Sequence, residues 1–407
     1  MSEANYIGKR GLYVSKRNRI ILYTVAALSV VLLVVLLLTK VVWKKDAAPA
    51  DAKADKQTEE SMTETPQPKQ DSEEMSQPAT EDEAKVKSDG DTEQENEPTT
   101  LVFTGDACFA YTFEGNYLAG GIENVVSKEM LTELQDADIL MMNEEFPFST
   151  RGTQAPDKQY TFRVDPKYVS AFTEMGVDIV SLANNHALDY GTEALEDSFK
   201  TLDDAGILYA GAGDTFERAS QLQIIEANGK KFGYLAASRV IPVGSWNIEN
   251  NQPGMFCTYD ETKLLAAIKA AKQECDFLTV YVHWGIERNT TPEAYQTSLG
   301  KEYIEAGADL VIGAHTHCLQ GIQYFDGKPV FYSLGNFIFN KTIDKTAAVK
   351  VTIDADGTAS YQLLPAAASN GTTNLLTGTQ AADLYQYMES LSYDVEITEE
   401  GEIKEKE

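Results

Sequence analysis

The sequence is short of basic residues. It has 34 Lys and Arg against 63 Asp and Glu, a net charge of −29 over 407 residues. Binding nucleic-acid phosphates requires a basic face, so this balance excludes nucleic acid as a partner. Cysteine is also sparse. Cys108, Cys257, Cys275 and Cys318 form neither a CxxC pair nor the spacing of a disulfide framework. Cys257, Cys275 and Cys318 read as small apolar residues for the interior. No internal repeat is visible. Histidine is as scarce as cysteine, with four in the whole chain, and each closes a short apolar run.

The charge is unevenly spread. Residues 1–45 carry eight Lys or Arg and one Glu, whereas residues 46–99 carry seventeen acids and five lysines. Between the leading basic residues and Lys40 lies IILYTVAALSVVLLVVLLLT, residues 20–39, without a charge. About 20 such residues in a helix span a hydrocarbon core of ~30 Å. A cleavable signal peptide would have a shorter apolar region and a small-residue cleavage site soon after it. The basic residues that follow argue instead for an uncleaved anchor. Lys9, Arg10, Lys16, Arg17 and Arg19 precede the span and Lys40, Lys44 and Lys45 follow it. This excess predicts a cytoplasmic N-terminus and a main domain outside the cell membrane.

Five segments follow. Residues 1–19 are a basic cytoplasmic leader and 20–43 a single-pass anchor. Residues 44–99 are an acidic linker with almost no large apolar side chains, expected to be disordered and extended by charge repulsion. Residues 100–366 form the main domain. Residues 367–407 hold one helix, in AADLYQYMESL, and an acidic tail expected to fray.

Within the main domain, LVFTG, ADILMMN, VDIVSLA, FLTVYV, ADLVIGA and KPVFYSL read as strands buried on both faces. Helical stretches alternate with them. TYDETKLLAAIKAAKQEC reads as opening on a Thr258–Glu261 capping box, with Leu264, Ile268, Ala271 and Cys275 at helical spacing. GTEALEDSFKTLDDAG closes on Gly206. Two hairpins are expected, turning on Asn228-Gly229 and Asp356-Gly357 as two-residue turns. The alternation implies an α/β domain with mixed sheets.

Polar residues follow the apolar runs. Asp106 ends the first, and Asn143, Glu144 and Glu145 the second. Asn184, Asn185 and His186 end the third, His283 the fourth, and His315 and His317 the fifth. Open α/β sheets bind ligands at the carboxyl ends of their strands. Carboxylate, amide and imidazole delivered to one edge suit a divalent transition metal such as Zn, Mn or Fe. In an extended segment, His315 and His317 would point the same way, roughly 6–7 Å apart. That span allows one metal each, in a pair ~3.5–4 Å apart.

The motifs resemble the CapA family of capsule-synthesis proteins, within the calcineurin-like metallophosphoesterase superfamily and linked to poly-γ-glutamate. They are GD at 105–106, NxE at 143–145, NNH at 184–186, HWGxE at 283–287, GAHxH at 313–317 and YSLGNFIF at 332–339. The resemblance implies a four-layer αββα sandwich of two mixed sheets with a site for two divalent metal ions above the strand ends. By position, Asp106 and His317 would hold the first metal and Asn185, His283 and His315 the second, with Glu145 bridging. His186 would be the general acid or the clamp on developing charge. The superfamily's first motif is DxH, where this chain has Asp106-Ala107-Cys108. Cys108 is either a soft ligand in place of that histidine or a packing residue, which leaves the first metal one ligand short.

Arg151, Arg163 and Arg239 lie in segments that could border the site and bind phosphate or carboxylate, or serve as structural arginines. Trp284 and Tyr160 are expected to pack rather than to form a substrate platform. The resemblance implies a metal-dependent hydrolase of a phosphoester or γ-glutamyl amide. The alternative is a non-catalytic subunit supporting a membrane polymer synthase or exporter. An anionic polymer would be repelled by the acidic domain, so its contact would rest on the metals and a few local cations.

Overall fold

The computed structural model describes residues 97–406. The leader (1–19), the anchor (20–43) and nearly all of the linker (44–99) lie outside them. Among the described residues no helix is long and apolar enough to cross a membrane.

In chain order the strands are β1 (Thr99–Ala107), β2 (Ile139–Glu144), β3 (Ile179–Ser181), β4 (Leu208–Ala210), β5 (Ala212–Gly213), β6 (Gln223–Ala227), β7 (Lys230–Ser238), β8 (Gly254–Met255) and β9 (Phe277–His283). They continue as β10 (Leu310–Ala314), β11 (Leu319–Phe325), β12 (Lys328–Leu334), β13 (Asn336–Ile338), β14 (Ile343–Ile353), β15 (Ala359–Ser369), β16 (Thr372–Leu375), β17 (Val395–Ile397) and β18 (Glu402–Glu405). The helices used below are α1 (Lys128–Gln135), α2 (Thr192–Ala205), α3 (Thr262–Ala271), α4 (Ala294–Ala306) and α5 (Gly378–Leu391).

Two mixed sheets form. The larger runs β17-β18-β15-β14-β1-β2-β3-β4, with β13 beside β1 and β16 beside β15; the smaller runs β11-β12-β10-β9-β7-β6. Side chains alternate across β1. Leu101 and Phe103 turn inward to meet Tyr234, Tyr281, Ile312 and Phe331 of the smaller sheet, while Val102 faces the outer core. Such period-two alternation lets one strand serve two cores. On the outer face of the larger sheet, Leu140, Met142 and Val180 pack against α1 and α2 through Met130, Leu134, Leu195 and Leu202. On the outer face of the smaller sheet, Leu278, Val280 and Val311 meet Leu264 and Ile268 of α3 and Leu299 and Tyr303 of α4. The layers are therefore helix, sheet, sheet, helix.

Parallel pairing sets the functional edge. β1 pairs parallel with β2, placing Asp106 beside Asn143. β9 pairs parallel with β10, placing His283 beside Ala314. The two sheets meet at this edge. The Asp106 amide donates to the Gly335 carbonyl (2.9 Å), and the Tyr281 hydroxyl donates to the Thr104 carbonyl (2.7 Å). A Cβ on Gly105 would stand 1.9 Å from the Gly335 oxygen, so this approach requires glycine.

Several local expectations hold. α2 ends with Gly206 left-handed at φ 74°, and β6 and β7 turn through Asn228 and Gly229, both at positive φ. Three differ. Helix α3 starts at Thr262, whose amide is capped by Asp260 Oδ1 (3.0 Å). Thr258 is instead buried in extended backbone, its amide donating to the Ser238 carbonyl (2.9 Å), so no capping box forms there. The hairpin of β14 and β15 closes through a three-residue loop. Asp354 and Thr358 still pair, and Gly357 alone turns left-handed at φ 89°.

The acidic tail does not fray. Strand β18 pairs with β15 and β17, and Val395, Ile397 and Ile403 enter the core between the sheets beside Leu384 and Met388 of α5. Three apolar residues on one face outweigh the charges, which point to solvent. Ile403→Ala should therefore lower the unfolding free energy by about 2–4 kcal/mol, measured by chemical denaturation. A frayed tail would give almost no change.

Candidate metal centre

The six residues singled out as ligands converge on one rim. His283, at the end of β9, is the centre of the crowd. Its Nε2 lies 2.7 Å from Asn185 Oδ1, 3.1 Å from His315 Nδ1 and 3.8 Å from Glu145 Oε1. A second group is Asp106, Glu145 and His317. His317 Nδ1 lies 3.6 Å from Asp106 Oδ2 and 2.7 Å from Asn336 Oδ1. In each of the sets Glu145–His283–His315 and Asp106–Glu145–His317, the candidate donor atoms lie within 4.8 Å of one another. Glu145 belongs to both.

The Glu145 carboxylate is fully buried, yet neither oxygen has a hydrogen-bond partner. Burial first, then the Asp106 charge, pushes its pKa well above the carboxylate range, against the pull of His317 and Lys158. An isolated buried carboxylate is costly. Divalent cations between Glu145 and the imidazoles would occupy its lone pairs, so the donor set suits divalent metals.

The histidines differ in protonation. Burial drives His283 well below its ordinary value, and burial with His317 takes His315 down to about 3. Both are neutral, as metal ligation requires. Burial opposes charge on His317 too, but Glu145 and Asp106 outweigh it and raise the imidazole to about 10.

Local backbone explains the aim of these groups. β10 ends at Ala314, so His315 and His317 lie in a turn rather than an extended segment. Both take positive φ, 92° and 55°, and their ring centroids are 5.9 Å apart. Such conformations in non-glycine residues cost of order 1–3 kcal/mol each and cluster at functional sites. Around them, amides fix the ligands. Asn143 Nδ2 donates to Asp106 Oδ1 (2.8 Å), and Asn184 Nδ2 donates to Asn143 Oδ1 (3.1 Å).

His186 stands beside the cluster, its Nε2 3.9 Å from Glu145 Oε1. Its Nδ1 lies 2.6 Å from Asp189 Oδ2. The same Nδ1 lies 3.0 Å from the Lys158 ammonium. Asp189 Oδ2 also accepts the Phe162 amide (2.7 Å). Lys158 bonds Asp189 and the Asn185 carbonyl. Burial holds the Lys158 ammonium below the usual lysine range, against the pull of Asp189. Asp189 could have been noticed three residues after His186 and Asn336 within YSLGNFIF. Lys158 sits in an irregular loop that carries no periodic signal.

The arginines are engaged elsewhere. Arg151 forks onto Asp197 (2.6 and 3.0 Å), and Arg163 donates to the Arg151 carbonyl (2.7 Å) with its guanidinium over Tyr190. Arg239 bonds the Thr258 carbonyl and lies over Tyr295. No arginine side chain bonds a candidate ligand, although the Arg239 amide donates to the His283 carbonyl (2.8 Å). Cys108 is fully buried in the outer apolar core and outside both donor groups; burial, then Glu145, raises its thiol well above the ordinary value. It packs. Cys257 and Cys275 are buried as expected, but Cys318 is only partly buried, in a cleft of 280 Å³ beside His317. Trp284 is buried, its Nε1 donating to the Tyr332 carbonyl (2.9 Å), whereas Tyr160 is exposed and not packed away.

The profile of the family described as bacterial capsule synthesis protein PGA_cap matches residues 100–341. The capsule biosynthesis protein CapA of Bacillus anthracis is 28% identical over 293 residues, covering 70% of this chain and 71% of that protein. The PGA biosynthesis protein CapA of Bacillus subtilis strain 168 is 28% identical over 234 residues, 56% of this chain and 61% of that one. Among solved structures, the 5′-nucleotidase from Candida albicans SC5314 is similar with a TM-score of 0.39 and 12% identity, over 72% of this chain and 54% of that one. The chain thus belongs to the bacterial capsule synthesis PGA_cap family, the family of the CapA proteins.

Proposed function

We propose that this chain is a metal-dependent hydrolase acting outside the cell membrane on a phosphoester or γ-glutamyl bond during synthesis, processing or export of a surface polymer. The observation that carries this reading is the buried Glu145 carboxylate, with no hydrogen-bond partner and two donor groups around it. In this reading Asp106, Glu145 and His317 hold one divalent ion, and Asn185, Glu145, His283 and His315 hold a second. Mixed oxygen and imidazole ligands suit Zn, Mn or Fe. The three protein ligands of the first set would leave a position for water or substrate, as catalytic sites do. When bound, such ions lower the pKa of a coordinated water toward ~7 and polarise the scissile group.

The chain's own groups do the rest. Asp189 orients the His186 ring so that Nε2 faces the cluster, where it can hold a proton for the leaving oxygen or stabilise its charge. Lys158 brings a positive charge to the same side. The uncharged run at 20–39 and the basic residues before it support a single-pass anchor with the domain outside. Membrane subunits of a polymer synthase or exporter are the partners this placement suggests.

His315→Ala in the full-length chain should lower bound metal by about one equivalent, read by elemental analysis, and abolish hydrolysis of a phosphoester panel. His186→Ala should keep its metal and lose about 10²–10⁴-fold in kcat. Wild-type protein that binds metal and turns over nothing in that panel or on γ-glutamyl peptides would leave the non-catalytic role.

His317 gives a second test. Its folded pKa of about 10 exceeds the unfolded ~6.5, so its stabilisation of the metal-free protein is full below pH ~6.5 and lost as pH rises through 10. The metal-free melting temperature should fall between pH 7 and 10, with the fall flattened in His317→Gln. Zinc binding at pH 7.5 must displace that proton. Calorimetry in buffers of different ionisation enthalpy should show about one more proton released by wild type than by His317→Gln.

A further inference from the structure

Aromatic rings border the cluster beside His186 and His317. Phe162 lies 4.5 Å from the His186 ring and Phe339 4.9 Å from the His317 ring, centroid to centroid. The two phenylalanines meet edge to face at 5.9 Å. Tyr111 lies over both, 5.8 Å from Phe162 and 6.1 Å from Phe339. These rings come from three separate stretches: the turn after β1, the loop that carries Lys158, and the segment after β13.

Core packing accounts for Phe339, which is buried, but not for Tyr111. That ring is 59% exposed, and its residue holds a φ of 53°. An L-residue in left-handed backbone is strained, and a ring left in water recovers little of that cost through burial. Strain kept at the edge of a site points to use of the site. Tyr160, on the same loop as Phe162, is also exposed. The three candidate arginines bond Asp197 or backbone carbonyls, and Lys345, in the neighbouring cleft, lies over the Tyr387 ring. A chain of γ-linked glutamates repeats a carboxylate, whereas the border sets three ring faces beside a single ammonium, that of Lys158.

We infer that Tyr111, Phe162 and Phe339 form a subsite for an uncharged ring on the substrate, next to the phosphoryl group that the donor cluster would hold. This rests on the hydrolase reading above and narrows it: the substrate is a ring-bearing phosphoester rather than a γ-glutamyl chain. A sugar and an aromatic group share the required chemistry, a flat apolar face that stacks on an aromatic ring.

The test is calorimetric titration of the manganese-loaded full-length protein with methylphosphonate, benzylphosphonate, cyclohexylmethylphosphonate and tri-γ-glutamate. At least one ring phosphonate should bind about tenfold more tightly than methylphosphonate. Preference for the saturated ring assigns the face to a sugar, and preference for benzyl to an aromatic group. Tyr111→Ala, at an exposed position, and Phe162→Ala should each remove most of the ring advantage and change methylphosphonate affinity by less than about twofold. Tyr111→Phe should retain the advantage. Equal affinity for all three phosphonates, equal loss of all three in the variants, or tighter binding of tri-γ-glutamate overturns the subsite. If no phosphonate binds the metal-loaded protein, the hydrolase reading itself fails and takes the subsite with it.

Discussion

A carboxylate in a dry interior needs partners, and Glu145 has none from the chain itself. The domain brings a second carboxylate, Asp106, and all four imidazoles close to it, although like charges repel and each ring loses its water. In the metal-free state that burden is met by sharing protons. His317 keeps one while His283 and His315 keep only neutral rings. The rest of the rim serves this cluster. Asn143 and Asn184 tie down Asp106, and the turn from His315 to His317 adopts backbone that few residues accept.

Much of this was legible because both strand types and ligands obey local rules. Apolar runs of β-rich residues marked the strands, and a polar residue just past each run marked the edge where a parallel arrangement gathers ligands. What sequence could not give was how a backbone path ends. GAHTH reads as extended, yet the strand stops at Ala314 and the two histidines reach their positions through left-handed turns. The same limit applies to Thr258, whose spacing to Glu261 mimics a cap while tertiary pairing holds it in extended backbone. The tail misled for another reason. Its composition is acidic, but Val395, Ile397 and Ile403 alone decide where it goes, and three residues are too few for a periodic signal.

Cations illustrate a further limit. Three arginines stood in plausible segments, and the structure commits each to a carboxylate, a carbonyl or a ring elsewhere. The ammonium at the site comes from Lys158, in a loop without regular structure, and its place is set by Asp189. That aspartate also lies against His186 Nδ1 and receives a hydrogen bond from the Phe162 amide. One carboxylate thus fixes the imidazole and the loop that carries the aromatic border, and a single substitution there would disturb both.

The passage from β12 through Gly335 to β13 carries the chain from the smaller sheet to the larger one beside Asp106. Asn336, which holds the His317 ring, is the first residue past that crossing. Each donor group draws on both sheets, Asp106 and Glu145 from the larger and His283, His315 and His317 from the smaller, so a shear of one sheet over the other would change distances within both groups. The spacing of ligands within each group becomes a gauge of how the sheets are seated, so a change of side-chain volume deep between them, at Phe331 or Met141, should register as altered cation affinity without touching any ligand.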